Sequence, residues 1–418
     1  MEGDMEKIRA RINHILGVRN LKGITKWLNP LLSAALPGAK SYLAFLVFIT
    51  FLAVITSIFL QNQPLISEAP FFEADSISQT KIGRFFLLPW YRWDTVHYIA
   101  IARLGYGEYP YSSAWPPLYP FVIKVFSVFI KPTLLAALAG TGIATLLFFV
   151  LFYIYVRKTR DEDTAKRTLL WVIAFPTSFF LFAGYTESLF LVFAVAVLFA
   201  ARSGRYLLAG LFAAFATLTR HPGVLLAIPI AIYAFQDYAH NPEKKISGLI
   251  MHLLPAAYPF VVFSLFAIYV KFGLRSYWPW ETLEMFWGYR NAWPWVGIWN
   301  DLAGAIHFFQ SAEGFFHFNW IFNPLICFII MAVLVAGRRQ LDLAENAYSW
   351  AMYLLFLSGI NNIGHTVSFT RYMLSVFPVF IVMAMRVKSP LARSIFLIIF
   401  LASAIFYIVI FRMGFFIA

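Results

Sequence analysis

From Ser41 to the C-terminus, apolar runs of roughly 20 residues alternate with short polar interruptions, the spacing of helices cut to the hydrocarbon thickness of a bilayer. The stretch 42–60 is apolar on every face, whereas a transmembrane barrel strand would alternate. The pattern therefore predicts an all-α polytopic membrane protein with about eleven transmembrane helices and one membrane domain over 41–418. Spans are expected near 41–60, 133–156, 168–183, 188–202, 206–219, 222–236, 247–270, 320–337, 347–361, 371–387 and 392–412. The run 118–130 is short and interrupted by Lys124, so it is expected to be interfacial or re-entrant.

Charge then orients the layout. With the N-terminus inside, Arg157, Lys158, Arg160, Lys166 and Arg167 become cytoplasmic, as do Arg202 with Arg205, Lys244 with Lys245, Arg338 with Arg339, and Arg386, Lys388 and Arg393. The opening segment, 1–40, is expected to be cytoplasmic. Within it, 5–32 mixes Lys7, Arg9, Arg11, Arg19, Lys22 and Lys26 with Ile8, Ile12, Ile15 and Trp27, which reads as amphipathic helix on the inner leaflet or as a basic disordered tail. Forty residues delay the first apolar run too long for a cleavable signal peptide, so the first span is expected to be retained.

Composition agrees. The 418 residues are 61% hydrophobic and 13% charged, against about 25% charged in a soluble domain. A net charge of +13 in a soluble protein would point to nucleic acid; here the cations sit at helix ends, where anionic lipid accounts for them, and no nucleic-acid partner is expected. Cys327 is the sole cysteine, which excludes an internal disulfide and leaves it no companion for a metal site. Small residues four apart, Ala136, Gly140 and Ala144, then Ala209 and Ala213 beside Gly210 and Ala214, predict close helix packing.

Two outer segments, 61–131 and 272–319, are too long for simple connectors. The second holds Tyr277, Trp278, Trp280, Trp287, Tyr289, Trp293, Trp295 and Trp299, rings that suit the headgroup level and that also stack on sugar faces. The first holds Tyr91-Arg92-Trp93-Asp94-Thr95-Val96-His97-Tyr98, followed by the stiff Pro116-Pro117-Leu118-Tyr119-Pro120 return. Three further polar clusters interrupt apolar sequence: Gly184-Tyr185-Thr186-Glu187-Ser188, Thr219-Arg220-His221-Pro222, and His365-Thr366-Val367-Ser368-Phe369-Thr370-Arg371-Tyr372. An ionisable group in such a setting is costly unless it meets water or a partner, and in this layout all four clusters converge on the non-cytoplasmic face.

Taken together, Trp93-Asp94 with His97-Tyr98, Gly105-Tyr106, the Pro-Leu-Tyr-Pro run, Tyr185-Thr186-Glu187-Ser188-Leu189-Phe190 and Arg371-Tyr372 with Phe377-Pro378 resemble the PIG-V family of GT-C fold mannosyltransferases. The resemblance implies a polyprenyl- or dolichyl-phosphate-linked sugar donor, usually mannose, a glycolipid or lipid-linked glycan acceptor, and inversion to an α linkage, as in GPI anchor assembly. The short inner loops point to a prokaryotic relative, for which GPI is not the assumed acceptor. The membrane is then the plasma membrane, or the endoplasmic reticulum in a eukaryote. On this reading Asp94 is the base, Glu187 and His97 orient it or the acceptor, and Arg371, with Arg220 second, holds the lipid phosphate. Arg92, Trp93, Tyr98, Tyr185, His221, His365 and Tyr372 complete the expected substrate-binding set. No cofactor is firmly implied; a monophosphate leaving group makes a divalent metal admissible but not required. The rival readings are a transporter or lipid flippase, whose charges would line a pathway, and a non-catalytic assembly subunit.

Overall fold

The structure is a computed structural model that describes residues 21–59, 77, 80–109, 111–240, 246–308 and 318–414. Helices dominate it: α1 (Leu21–Phe59), α2 (Asp94–Leu104), α3 (Leu118–Phe126), α4 (Thr133–Thr159), α5 (Glu162–Ala174), α6 (Glu187–Arg202), α7 (Tyr206–Thr219), α8 (Ala227–Ala239) and α9 (Ile246–Leu253). After α10 (Tyr258–Ile268) come α11 (Pro279–Trp287), strand β1 (Arg290–Asn291), α12 (Pro294–Phe308), α13 (Asn319–Gly337), α14 (Leu343–Leu357) and strand β2 (Gly359–Ile360). The chain closes with α15 (Phe369–Tyr372), α16 (Pro378–Arg386) and α17 (Pro390–Arg412).

Among the described residues, six helical stretches are long and apolar enough to cross a membrane: Ser33–Ile58, Thr133–Thr159, His221–Ala239, Ile246–Gly273, Asn319–Gly337 and Pro390–Arg412. A seventh results if Phe369–Ser375 and Pro378–Arg386, bent by 86°, form one broken span. The chain is thus a multi-pass α-helical membrane protein. The other expected spans fall on α5, α6, α7 and α14, helices of 13, 16, 14 and 15 residues, shorter than a straight span of about 20. The expected helix over 168–183 stops at Ala174 because Pro176 removes a backbone donor, and a separate turn follows over Ser178–Leu181. At the N-terminus the expected boundary at 41 moves: α1 is continuous from Leu21, and its apolar part begins at Ser33. The rest of the amphipathic segment expected over 5–32 lies outside the described residues.

The core is packed around α4 and α6. Phe148, Phe149 and Phe152 of α4 are buried, and α6 buries Phe190, Leu191, Val195, Val197 and Leu198. Small residues let neighbours approach: a Cβ on Gly140 would stand 3.1 Å from Val122 of α3, and one on Gly38 would stand 2.6 Å from the α4 backbone at Val150.

Polar residues gather at the two ends of α6, which lie about 24 Å apart at 1.5 Å per residue. At the Arg202 end, Arg202 pairs with Asp342, Tyr233 donates to Asp342 at 2.6 Å, and Arg160 pairs with buried Glu345 at 2.6 Å. Asp342 and Glu345 also cap α14 reciprocally. At the Glu187 end, the turn before α6 bonds α2 through Thr95 and Tyr98, and Thr186 lines a cavity together with residues of α11 and β1.

Gly210 of α7 tests this close packing. A Cβ there would stand 2.6 Å from both Cβ and O of Pro255, so Gly210→Ala is expected to lower the thermal unfolding midpoint in detergent, with an overpacking cost of about 1–3 kcal/mol. Gly248→Ala, with open space around it, should leave the midpoint unchanged or raise it.

Candidate active site

The site begins with a sharp turn. Trp93 adopts φ 51°, a conformation rare for a non-glycine residue, and thereby makes Asp94 the first residue of α2. Gly184 (φ 78°) brings a second turn against it: a Cβ there would stand 3.0 Å from Thr95 Cγ2, and Thr95 Oγ1 donates to Ala183 O at 2.8 Å. That docking sets Glu187, the first residue of α6, beside the first residue of α2. Each carboxylate so occupies a helix N-terminus, where the backbone dipole favours negative charge.

Two arginines arrive from elsewhere. Arg220 ends α7, and Arg371 lies on the one-turn α15, held between Ser368 at φ 51° and the bend before Pro378. Arg371 Nη2 meets Asp94 Oδ2 at 2.7 Å, and its Nε meets Glu187 Oε1 at 2.6 Å. Arg220 Nη1 donates to the same Glu187 oxygen at 2.8 Å. Two acids and two guanidinium groups form a charge-balanced quartet drawn from α2, α6, α7 and α15. Glu187 is 1% exposed and Arg371 4%, while Asp94 is 13% exposed. Aromatic faces complete the cradle: the Arg371 guanidinium lies 4.4 Å from the Tyr185 ring centroid and 4.9 Å from Phe180, and that of Arg220 lies 4.9 Å from Tyr372.

The quartet borders a cavity of about 870 Å³. Six residues expected from the sequence line it: Asp94, Tyr98, Arg220, His221, Arg371 and Tyr372. Glu187 stands behind the arginines, and Tyr185 lies beneath Arg371. Tyr98 is tied to Thr186 through a 3.3 Å hydroxyl contact, and burial together with the charges of Asp94 and Glu187 keeps its phenol protonated well beyond the ordinary range. Arg92 and Trp93 are not among the lining residues: Arg92 is buried under the turn and Trp93 packs on the core.

His97 faces away from the cavity. Its Nδ1 lies 2.5 Å from the Tyr109 hydroxyl and its ring stacks on Trp115, 5.2 Å between centroids. Burial pushes its pKa down to about 4, against the opposing pull of Asp94, so the ring is neutral at physiological pH. His365 belongs to a different cluster: Nδ1 meets buried Asp301 at 2.8 Å, the ring stacks on Trp320, and the same carboxylate accepts from Thr366. That cluster is linked to the site through Asn323, which bonds both Thr366 and Thr370, the neighbour of Arg371.

Trp280 and Tyr289, singled out among the aromatic residues of the second outer segment, join the lining, as do Glu284, Arg290 and Asn291, which sequence reasoning did not single out. The available signal was the pair of charges, Glu284 and Arg290, amid the tryptophans of the second outer segment. Among the described residues no group of three or more His, Cys, Asp or Glu side chains could hold a metal ion.

Comparison with known proteins gives four findings. A family model described as Mannosyltransferase (PIG-V) matches residues 39–295. GPI mannosyltransferase 2 of Schizosaccharomyces pombe is 23% identical over 156 residues, an alignment that covers 36% of this chain and only 33% of that protein. Among solved structures, the archaeal oligosaccharyltransferase AglB of Archaeoglobus fulgidus, in complex with an inhibitory peptide and a dolichol-phosphate, is similar over 88% of this chain and 55% of its own, at 13% identity and a TM-score of 0.43. An A. fulgidus oligosaccharyltransferase complex with Zn and sulfate gives 15% identity, 88% and 53% coverage and a TM-score of 0.45. At those scores the structural likeness is coarse and carries no weight for the chemistry.

The quartet carries its own stability test. Glu187→Gln leaves Arg220 without a carboxylate partner and Arg371 with Asp94 alone, and breaking a buried charge pair in this way costs about 3–5 kcal/mol. A clear drop in the thermal midpoint of the purified variant is expected, whereas Glu284→Gln, at an ion pair more than half exposed on both sides, should leave it nearly unchanged.

Proposed function

Since this chain belongs to the PIG-V mannosyltransferase family, we propose that it is an integral-membrane glycosyltransferase of GT-C type that moves mannose from a polyprenyl- or dolichyl-phosphate donor to a glycolipid or lipid-linked glycan. Transfer takes place on the non-cytoplasmic face. The observation that carries this reading is the quartet of Asp94, Glu187, Arg220 and Arg371 beside a roomy cavity whose remaining walls include Val224, Leu225, Phe260 and Phe263. A charged floor under an apolar wall suits a substrate with a phosphate and a hydrocarbon tail.

Asp94 lines the cavity with one oxygen fixed by Arg371. Its carboxylate takes the proton of the acceptor hydroxyl as that oxygen attacks the anomeric carbon from the side opposite the phosphate. The bond from the anomeric carbon to the phosphate oxygen breaks, its electron pair leaves with the phosphate, and configuration inverts. The hydroxyl becomes strongly acidic as its oxygen bonds to carbon, so proton transfer to the carboxylate is downhill late in the step. The leaving phosphate gains one negative charge while Asp94 loses one, and the net charge of the site is conserved.

Arg371 spends Nε and Nη2 on the two acids, so it fixes the base and leaves phosphate recognition chiefly to Arg220, which gives Glu187 one bond. Glu187 positions both arginines. His97 acts at one remove, holding Trp115 against the cavity. A guanidinium rather than a divalent ion already occupies the space between the acids, and transfer is expected to persist in the presence of a chelator. A transporter would place ionisable groups along a pathway near the midplane, whereas these four lie at the ends of α2, α6 and α7 and on a one-turn helix.

Asp94→Asn keeps the shape of the side chain but cannot take the proton, and loss of a general base typically slows a reaction by about 100-fold to 10,000-fold. Purified Asp94→Asn should lose transfer to that extent while still binding donor; near-normal transfer would sink the mechanism. Sidedness is checked with exposed cysteines in a Cys327→Ser background: an impermeant maleimide applied to intact cells or sealed right-side-out vesicles should label Glu108→Cys and spare Lys166→Cys.

A further inference from the structure

The cavity that Asp94, Arg220 and Arg371 line has a rim contributed by α11 and β1. On α11 the spacing 280, 283, 284 and 287 defines one helical face. Trp280, Leu283 and Glu284 of that face line the cavity, and Trp287 continues it onto Trp115, 5.5 Å between ring centroids. The opposite side of the helix is bolted to the first loop segment. The Thr282 hydroxyl lies 2.6 Å from that of Ser113 with both residues buried, and Phe286 meets Tyr111 edge-on at 4.6 Å. Arg290 and Asn291 are fixed in turn by antiparallel pairing with Ile360 and Gly359. The rim is therefore tied, through Ser113, Tyr111 and Trp115, to the segment that follows α2.

Its chemistry differs from that of the floor. The Trp280 ring is half exposed and supported by parallel stacking on Trp278, 5.1 Å between centroids and 8° between planes. Arg290 Nε meets Glu284 Oε1 at 3.1 Å, so the two charges cancel, and Asn291 adds an amide. An aromatic face beside a neutralised carboxylate, guanidinium and amide matches a neutral carbohydrate: ring C–H groups lie on the indole and vicinal hydroxyls bond the planar polar groups. A phosphate would instead seek the excess positive charge that this rim lacks.

Resting on the transferase reading above, we propose that Trp280, Glu284, Arg290 and Asn291 form the acceptor subsite and hold a neutral hexose of the acceptor glycan. The hydroxyl to be glycosylated then points toward Asp94, and the rim decides which acceptors are used. Because the rim belongs to a different element from the phosphate-facing arginines, donor and acceptor saturation separate.

The test uses the full-length protein in micelles, with a short-chain polyprenyl phosphomannose as donor and octyl α-D-mannopyranoside as acceptor. Trp280→Ala should raise the acceptor KM about tenfold, the loss of one stacked ring, with the donor KM unchanged; Trp280→Phe should recover most of the loss. Glu284→Gln and Arg290→Gln should shift the acceptor KM in the same direction. Unchanged acceptor KM in all three of Trp280→Ala, Glu284→Gln and Arg290→Gln overturns the subsite. A change confined to donor KM overturns it too, and reassigns the rim to the phosphate. Wild-type protein that neither transfers mannose nor hydrolyses the donor overturns the transferase reading itself, an outcome distinct from either of these.

Discussion

Glu187 is the point at which the chain's separate parts are forced into one arrangement. A carboxylate 1% exposed must be paired, and this one receives Arg371 and Arg220 on the same oxygen while Arg371 reaches on to Asp94. The four residues lie at positions 94, 187, 220 and 371, so the ion cluster closes loops that span most of the sequence. Nothing about such a cluster is required for stability alone, since buried ion pairs gain little over well-packed apolar side chains. Its value lies in specificity of arrangement: the N-termini of α2 and α6, the end of α7 and the bend before α16 have one mutual placement that leaves no charge unpaired.

That constraint explains local features that would otherwise be costly. Trp93 and Ser368 hold positive φ next to Asp94 and three residues before Arg371, and Gly184 holds it three residues before Glu187. Strained turns of this kind persist where surrounding contacts over-determine them. Here the contacts are identifiable: Thr95 bonds Ala183, and Thr177 bonds the carbonyl of Thr370, so each strained turn is clamped to an element bearing another member of the quartet or its supports.

The sequence made the helical membrane class and the clusters around Asp94, Glu187, Arg220 and Arg371 visible, because burying ionisable groups in apolar surroundings leaves a local mark in the text. Which cluster pairs with which was not visible. His365 stands in the same sequence cluster as Arg371, yet its partner is Asp301 on α12, since it lies before the one-turn α15 and is separated from it by the positive-φ turn at Ser368. The span lengths failed for a related reason. Hydropathy counts apolar residues but does not register that α6 is enclosed by protein, where 16 residues are enough, or that Pro176 divides an apolar run into a helix and a turn. The rim was the least legible part: Glu284 and Arg290 look like any exposed loop charges until the fold brings them into one cavity with Asp94.

In the mechanism proposed above, the division of labour among the cations follows from the same geometry. A guanidinium offers five donors in a plane, and Arg371 has turned two of them toward acids, which fixes the base and uses up the part of the fork best suited to a phosphate. Arg220, bonded once and sitting where the charged floor meets Val224, Leu225 and Phe263, is the cation closer in character to a lipid phosphate, whose charged and apolar parts adjoin. Arg290 is neutralised by Glu284 and falls on the rim. Three arginines in one cavity thus differ in what they have left to offer, and on the proposed reading that difference rather than their number separates base, leaving group and acceptor.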